Sequence, residues 1–142
     1  MSITARSPLA AIQRAIYQRL NTDEGLGAAV YDQVPEDAPM PYVVLGEATE
    51  TPDNWHGGIG RNSTHTLHVW SQQQTFDEAN AVADRVVQLL DHQPMPLHAA
   101  EWVVTAVRFE FAQTLRDPQP PHARHIPVRF RINTEQPEDE EG

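Results

Sequence analysis

The chain has 142 residues, which predicts a single domain with enough surface to bury a core without disulfides or a metal. It contains no cysteine, which excludes disulfides, thiolate zinc sites and cysteine nucleophiles. Its formal net charge is −10, and the chain contains arginine but no lysine. This acidic balance disfavours non-specific binding to nucleic acid or anionic membranes.

The first half of the chain predicts one helix and two strands. Ser7 and Pro8 form a typical helix start, and apolar residues at helical spacing then predict an amphipathic helix to about Leu20. Residues 28–34 predict a short strand. The nearly continuous apolar run at 42–47 predicts a central strand that is covered on both faces.

A glycine-rich stretch, residues 52–62, follows the second strand. It holds three of the seven glycines, so it predicts a long exposed loop. Trp55 in this loop is a candidate interface anchor, since exposed tryptophan is enriched where proteins meet. The alternative is that its ring folds back onto the sheet.

A strand followed directly by a helix organises the middle of the chain. Residues 64–71 alternate between the two faces expected of a strand. Thr75 and Glu78 then have the spacing of a capping box, in which each would satisfy the other's backbone N–H. They predict the start of a helix over about 76–91.

Two more strands complete the pattern. Residues 102–111 alternate, and the odd-numbered side chains from Val103 to Phe111 are expected to share one face. Residues 115–121 predict a turn region, and 125–132 predict the last strand. Pro127 lies within that strand and cannot donate to a ladder, so the strand is expected at a sheet edge. Arg129 and Arg131 then either guard this edge or contact another chain.

The order of helix, three strands, helix and two strands predicts an α+β fold. We expect a mostly antiparallel sheet of about five strands with two helices packed on one face. Residues 1–134 form the single domain in this interpretation. The tail, 135–142, carries five acidic residues and is expected to be disordered.

Catalytic and metal-binding patterns are absent from the sequence, so no catalytic, cofactor or metal residue is assigned. There is no Gly-x-Ser-x-Gly elbow, and the glycines at 57–60 are not followed by a lysine or a helix. His65 and His68 would leave opposite faces of a strand and cannot share an ion. A small metal- or ligand-binding domain using His122, His125 and Asp117 remains the alternative from another functional class.

Arg116 and Asp117 precede a proline and cannot easily pair with each other. Each is therefore available to another segment or another subunit, or Asp117 simply caps its own turn.

No apolar run approaches the ~20 residues of a membrane span, and residues 1–20 lack the pattern of a signal peptide. These features favour a protein that acts by binding.

Five segments occur in an order that resembles a known family. They are Ala29-Val30-Tyr31-Asp32-Gln33-Val34-Pro35, Pro41-Tyr42-Val43-Val44-Leu45-Gly46-Glu47, His68-Val69-Trp70-Ser71, Leu115-Arg116-Asp117-Pro118 and residues 125–131. So arranged, they are similar to the tail-completion, or tail terminator, proteins of long non-contractile-tailed bacteriophages and gene transfer agents. The similarity runs from about Leu9 to Thr134. Ile126-Pro127 departs from the unbroken strand expected there.

The resemblance implies a structural virion protein without enzymatic activity or cofactor. It implies a hexameric ring at the tail–neck junction, assembled in the host bacterial cytoplasm. The ring would cap the tail tube, stop its polymerisation and provide the docking surface for the head-completion or connector protein, while DNA passes its lumen without specific binding. A head-completion or neck protein is the close alternative. The candidate subunit or partner contacts are Trp55, Arg61, Arg116, Asp117, Arg129 and Arg131.

Overall fold

The structure, a computed structural model, describes residues 4–96, 101–118 and 122–137. In these ranges two helices, α1 (Leu9–Asn21) and α2 (Asp77–Leu90), pack on one face of a six-stranded sheet. The strands are β1 (Ala29–Tyr31), β2 (Tyr42–Pro52), β3 (Ile59–Ser71), β4 (Val103–Ala112), β5 (Leu115–Arg116) and β6 (Arg124–Gln136). Their order across the sheet is β1-β2-β3-β6-β4, and β5 also pairs with β6.

The predicted α+β class is confirmed, because every strand pair is antiparallel except the parallel pair β1–β2. The additional strand is β5, which lies in the predicted turn region. The core lies between the helices and the sheet, and Phe130 and Ile132 of β6 are fully buried at its centre. Burying such a side chain contributes about 1.5–3 kcal/mol to folding, so β6 is a main source of stability.

β6 lies between β3 and β4, so the prediction that it is an edge strand is wrong. Pro127 pairs with His68 of β3 on one side, and on the other its carbonyl oxygen accepts the Gln113 N–H at 3.3 Å. Gln113 falls in the gap between β4 and β5. Because the N–H and C=O of one antiparallel residue point to the same side, the missing proline donor faces this gap. A central strand therefore tolerates the proline.

The alternation predicted for β4 is interrupted by register shifts between Val104 and Ala106 and between Phe109 and Phe111. An extra residue in one strand moves the following side chains to the other face. Val107 is buried under the helices, whereas Phe111 lies on the opposite face beside Arg129. The expectation that all the odd-numbered side chains of this strand share one face is therefore wrong.

The second strand and the loop after it also differ from the prediction. β2 extends to Pro52 and β3 begins at Ile59, so the expected loop at 52–62 contracts to the tip of a long hairpin, residues 53–58. β2 is covered on one face only. Val43 and Leu45 are buried beneath the helices, while Tyr42 and Val44 remain half-buried on the other face.

The start of α2 does not use the predicted capping box. The backbone N–H of Glu78 donates to the side-chain oxygen of Gln73 at 2.8 Å. The Glu78 carboxylate accepts the hydroxyl of Ser71 at 2.7 Å, and the Thr75 hydroxyl accepts the Asp77 N–H at 3.3 Å. Gln73 and Thr75 therefore accept the backbone N–H groups of the helix start, in a different pairing from the one that the spacing of Thr75 and Glu78 suggested.

The end of β6 reaches past the predicted domain boundary at residue 134. Gln136 is buried, donates to the Thr4 carbonyl at 2.6 Å and accepts the Arg6 N–H at 3.0 Å. Residues 135 and 136 therefore belong to the sheet, whereas residues 138–142 of the expected tail lie outside the described residues. In the described ranges, neither helix is long and apolar enough to cross a membrane.

Candidate functional site

The sheet face that points away from the helices carries a series of polar and aromatic side chains that are accessible to a partner. We call it the open face. Alternation along β3 and β6 places Leu67, Val128 and their apolar neighbours in the core, so the intervening side chains emerge on the open face. Two clusters lie there, one around His68 and one around Arg129.

The histidine cluster joins three strands. His68 Nδ1 lies 2.7 Å from His125 Nε2, and His68 Nε2 lies 3.0 Å from a Glu47 carboxylate oxygen. The Trp70 ring stacks on His125, with a centroid distance of 4.0 Å and an interplanar angle of 5°. The cluster is a line of hydrogen-bonding groups on an otherwise uncovered face, in which His68 and His125 are half-buried and Glu47 is exposed.

Two groups of this cluster have shifted pKa values. Burial, followed by the charge of His68, lowers the pKa of His125, against the smaller opposing effects of Asp117 and Glu47. The pKa of Glu47 is also lowered: burial acts to raise it, but the attraction of His68 and several hydrogen bonds together outweigh burial. The carboxylate form of Glu47 and the neutral form of His125 are thereby favoured.

The geometry gives no support to a metal site. Among the described residues, no group of three or more His, Cys, Asp or Glu side chains is placed to hold a metal ion. His125 is engaged by His68 through its Nε2. The alternative that uses His122, His125 and Asp117 therefore lacks a metal-binding arrangement in the part of the chain that the structure describes.

The arginine cluster lies beside β4 on the open face. Glu110 accepts from Arg131 at 2.7 Å and pairs with Arg129 at 3.4 Å, and Arg131 also donates to the Asn62 side chain at 2.7 Å. The Arg129 guanidinium stacks 5.2 Å from the centroid of the Phe111 ring. Exposed ion pairs contribute only about 0–1 kcal/mol, so this network mainly orients two half-exposed guanidiniums.

The hairpin tip holds Trp55 and Arg61. A Cβ on Gly58 would lie 2.0 Å from the Trp55 ring, so the indole packs directly on that glycine while 48% of the residue stays exposed. Arg61 donates to the Asn54 side chain at 3.0 Å and to the Gly60 carbonyl at 2.8 Å. The tip therefore presents a half-exposed indole on a turn that the hydrogen bonds of Arg61 help to stabilise.

A third candidate region lies at the other end of the sheet. Arg116 pairs in register with Arg124, and both guanidiniums lie near the ring of Phe76, at 5.7 and 5.3 Å from its centroid. Arg124 and Glu135 are eleven residues apart along β6, so about 36 Å separates this region from the hairpin tip. The six candidate residues thus fall into three separate places.

Exposed apolar side chains mark the edge formed by β4 and β5. Among the described residues, the exposed large hydrophobic side chains are Trp55 and four on this edge, namely Val103, Phe109, Phe111 and Leu115. Sequence reasoning missed both this edge and the histidine cluster. His68 and His125 are 57 residues apart, and only the register of β3 on β6 brings them together.

Comparison with known proteins identifies the family. The family model for tail completion protein gp17 matches residues 14–135. The chain belongs to this family. Tail completion protein gp17 of Bacillus phage SPP1 is 33% identical over 129 residues, which cover 87% of this chain and 92% of the phage protein. This tail completion family member therefore has a structural role in a phage-type tail.

Solved structures agree with the family assignment. A chain in the structure of the virion of a native gene transfer agent particle superimposes with a TM-score of 0.81 at 28% identity, covering 92% of this chain and 99% of that one. A further solved structure has a TM-score of 0.54 at 14% identity, covering 94% and 95% of the two chains, and shares the fold alone. The tail completion fold thus extends across nearly the whole chain.

Proposed function

We propose that this protein is a tail terminator, a ring-forming subunit that caps the tail tube and stops its polymerisation. The proposal is carried by the likeness, over 92% of the chain, to a chain of an assembled gene transfer agent virion. Membership of the tail completion family points to the same role. The ring would lie at the tail–neck junction, with six copies expected from the family resemblance.

In this proposal one ring face imitates a further layer of tube protein and binds the last tube ring. The opposite face lacks the self-complementary surface of the tube, so growth ends there, and that face receives the head-completion or connector protein. DNA passes through the lumen, where a chain with a net charge of −10 would bind it weakly. The protein acts through complementary surfaces and catalyses no reaction.

A closed ring is built from heterologous contacts, in which two different patches of each subunit meet. We assign contact roles to the half-exposed Trp55 on its braced hairpin and to the Arg129–Arg131 cluster on the open face. Because β6 is central, these arginines would act through their side chains and not by edge pairing. Arg61 supports the hairpin patch, and Arg116 with Asp117 forms a further one.

The test of the function is tube elongation. Purified tail tube protein is polymerised with and without this protein, and tube lengths are measured by negative-stain electron microscopy. A terminator shortens the tubes and places one ring at an end. Tubes of unchanged length without end rings would contradict the proposal, and binding to a purified connector without binding to tubes would favour a head-completion protein.

The arginine cluster is tested by reversing the charges of its arginines, first alone and then together with the charge of Glu110. The double variant Arg129→Glu with Arg131→Glu reverses the patch but leaves three acids together, because Glu110 bridges both arginines. Adding Glu110→Arg restores the pairs with their polarity inverted. If ring formation, followed by size-exclusion chromatography with light scattering, is unchanged in both folded variants, this cluster is not a contact.

A further inference from the structure

Two arginines at one corner of the sheet face each other without a carboxylate at ion-pair distance in the described residues. We call Arg116, Arg124 and the Phe76 ring between them the arginine corner. Arg124 donates to the Gln74 carbonyl, yet its Nε is buried with no acceptor among the described residues. Like charges directly opposite in an antiparallel pair are destabilising. The corner therefore carries an unbalanced positive charge within an acidic chain.

Acidic groups near the corner are already engaged. Glu78, in the first turn of α2 beside Phe76, accepts the Ser71 hydroxyl at 2.7 Å. The nearby carboxyl of Asp117 acts on His125, whose pKa it tends to raise. Within the described part of the chain, neither of them forms an ion pair with Arg116 or Arg124. An acceptor from outside the subunit would balance the corner.

The connection that follows β1, the edge strand on the other side of the sheet, carries exposed acids. Residues 32–41 connect β1 to β2, and we call Glu36 and Asp37 within them the acidic turn. Both side chains are exposed, and in the described ranges neither is in an ion pair. Asp32, by contrast, accepts the Gln13 amide at 2.9 Å. The acidic turn is thus an unbalanced negative patch.

The strands next to these two patches, β5 and β1, lie at opposite sides of the sheet. A single row of paired residues crosses the sheet through Ala29, Tyr42, Trp70, His125 and Leu115. Arg116 follows Leu115 at one end of the row. At the other end, the connection from β1 must return to the level of Tyr42, since β1 and β2 are parallel. One end of the row therefore adjoins the arginine corner, and the other end adjoins the connection that holds the acidic turn.

We propose that the acidic turn of one subunit binds the arginine corner of the next copy around the ring. This inference rests on the proposed function, because a ring brings opposite sides of neighbouring copies together. Each exposed ion pair adds little affinity, so the contact mainly sets which patches meet and in which direction. A second copy of the chain supplies the carboxylates that the corner lacks.

The experiment reverses the charge of one residue in each patch and measures the extent of ring formation by light scattering. If rings form only at tube ends, they are counted there by electron microscopy. Arg116→Glu and Glu36→Arg are each expected to raise the protein concentration for half-maximal ring formation at least about tenfold, because like charges then meet. The double variant should return to within about threefold of the wild type. Glu24→Arg, an exposed acid on another turn, makes the same charge change and should have no such effect.

The outcomes separate the contact from the function. Circular dichroism confirms that each variant is folded, and Arg116→Gln provides a milder second variant. Rings that form normally in the folded single variants, or a double variant as defective as the singles, would overturn the contact while the terminator function stands. Absence of rings from the wild type even at tube ends would overturn the function and the contact together.

Discussion

The buried imidazole of His65 makes the stability of the protein depend on pH. His65 lies on β3 beneath α1, is 5% exposed, and lines a cavity of about 140 Å³ between that helix and strands β2 and β3. Its Nε2 lies 3.2 Å from the Ser63 hydroxyl. Burial without a charged partner lowers the pKa of His65 from 6.5 to about 4.

The sign follows from proton linkage. Below pH 6.5 the unfolded chain binds a proton at His65 that the folded chain does not, so acidification favours unfolding. The contribution is fully present above the unfolded pKa and is lost progressively as the pH falls toward about 4. With about 1.36 kcal/mol per pH unit, the free energy of unfolding should fall by about 2–3 kcal/mol between about pH 7.5 and 4.5 from this group alone.

The assay is urea unfolding followed by circular dichroism across this pH range, for the wild type and His65→Gln. Glutamine is neutral throughout and can still hydrogen-bond the Ser63 hydroxyl, so the variant should lack this part of the pH dependence. Other titrating groups contribute to both proteins and cancel in the difference. If the pH dependence of the two proteins differs by less than about 0.5 kcal/mol, the burial argument for His65 is refuted.

Three further variants test the core, the hairpin and the interface. Phe130→Ala removes a fully buried ring and should lower the free energy of unfolding by about 3–5 kcal/mol in urea titrations, and a loss below about 1 kcal/mol would contradict its place in the core. Gly58→Ala should displace the indole of Trp55 and shift tryptophan fluorescence, because the new Cβ would lie 2.0 Å from the Trp55 ring. Gly25→Ala is the control that should be tolerated, because its Cβ would lie 3.4 Å from the nearest atom. Trp55→Ala should change the melting temperature little, since 48% of the residue is exposed, but weaken tube-end binding at least about tenfold in a sedimentation assay. Unchanged sedimentation would remove Trp55 from the contact.

The fold class could be predicted because the apolar residues of each long helix or strand recur at the spacing typical of that element. The alternation in β3 and the helical stripe of α2 are local patterns, and they appear where expected. The start of α2 was predicted to within one residue, but its capping was not, because Gln73 competes with Thr75 for the Glu78 N–H. Side-chain spacing alone does not rank the two acceptors. Local spacing fixes which residues are available and leaves the pairing open.

The position of β6 could not be read from its own residues. Pro127 indicates an edge only if the neighbouring strand is continuous, and here the break between β4 and β5 faces the proline. The same holds for Phe111, which lies on the other face because of the register shift between Phe109 and Phe111. Both features depend on pairing between distant segments, which no local pattern encodes.

The candidate site was foreseen in part. Arg129 and Arg131 do emerge together on one face, but the Glu110 that joins them lies on a different strand. His68 was expected on the face opposite His65, which is where it lies, yet its contact with His125 depends on the long-range register. Sequence alone identified single residues, and the sheet assembled them into clusters.

The central claim, that this chain ends a tail tube by forming a ring on it, is tested most directly by imaging the tube end. A cryo-electron microscopy reconstruction of tubes polymerised with the protein is expected to show one closed ring of its copies at a single end, continuous with the last tube layer. Copies distributed along the tube wall, or tube ends that carry none, would contradict it.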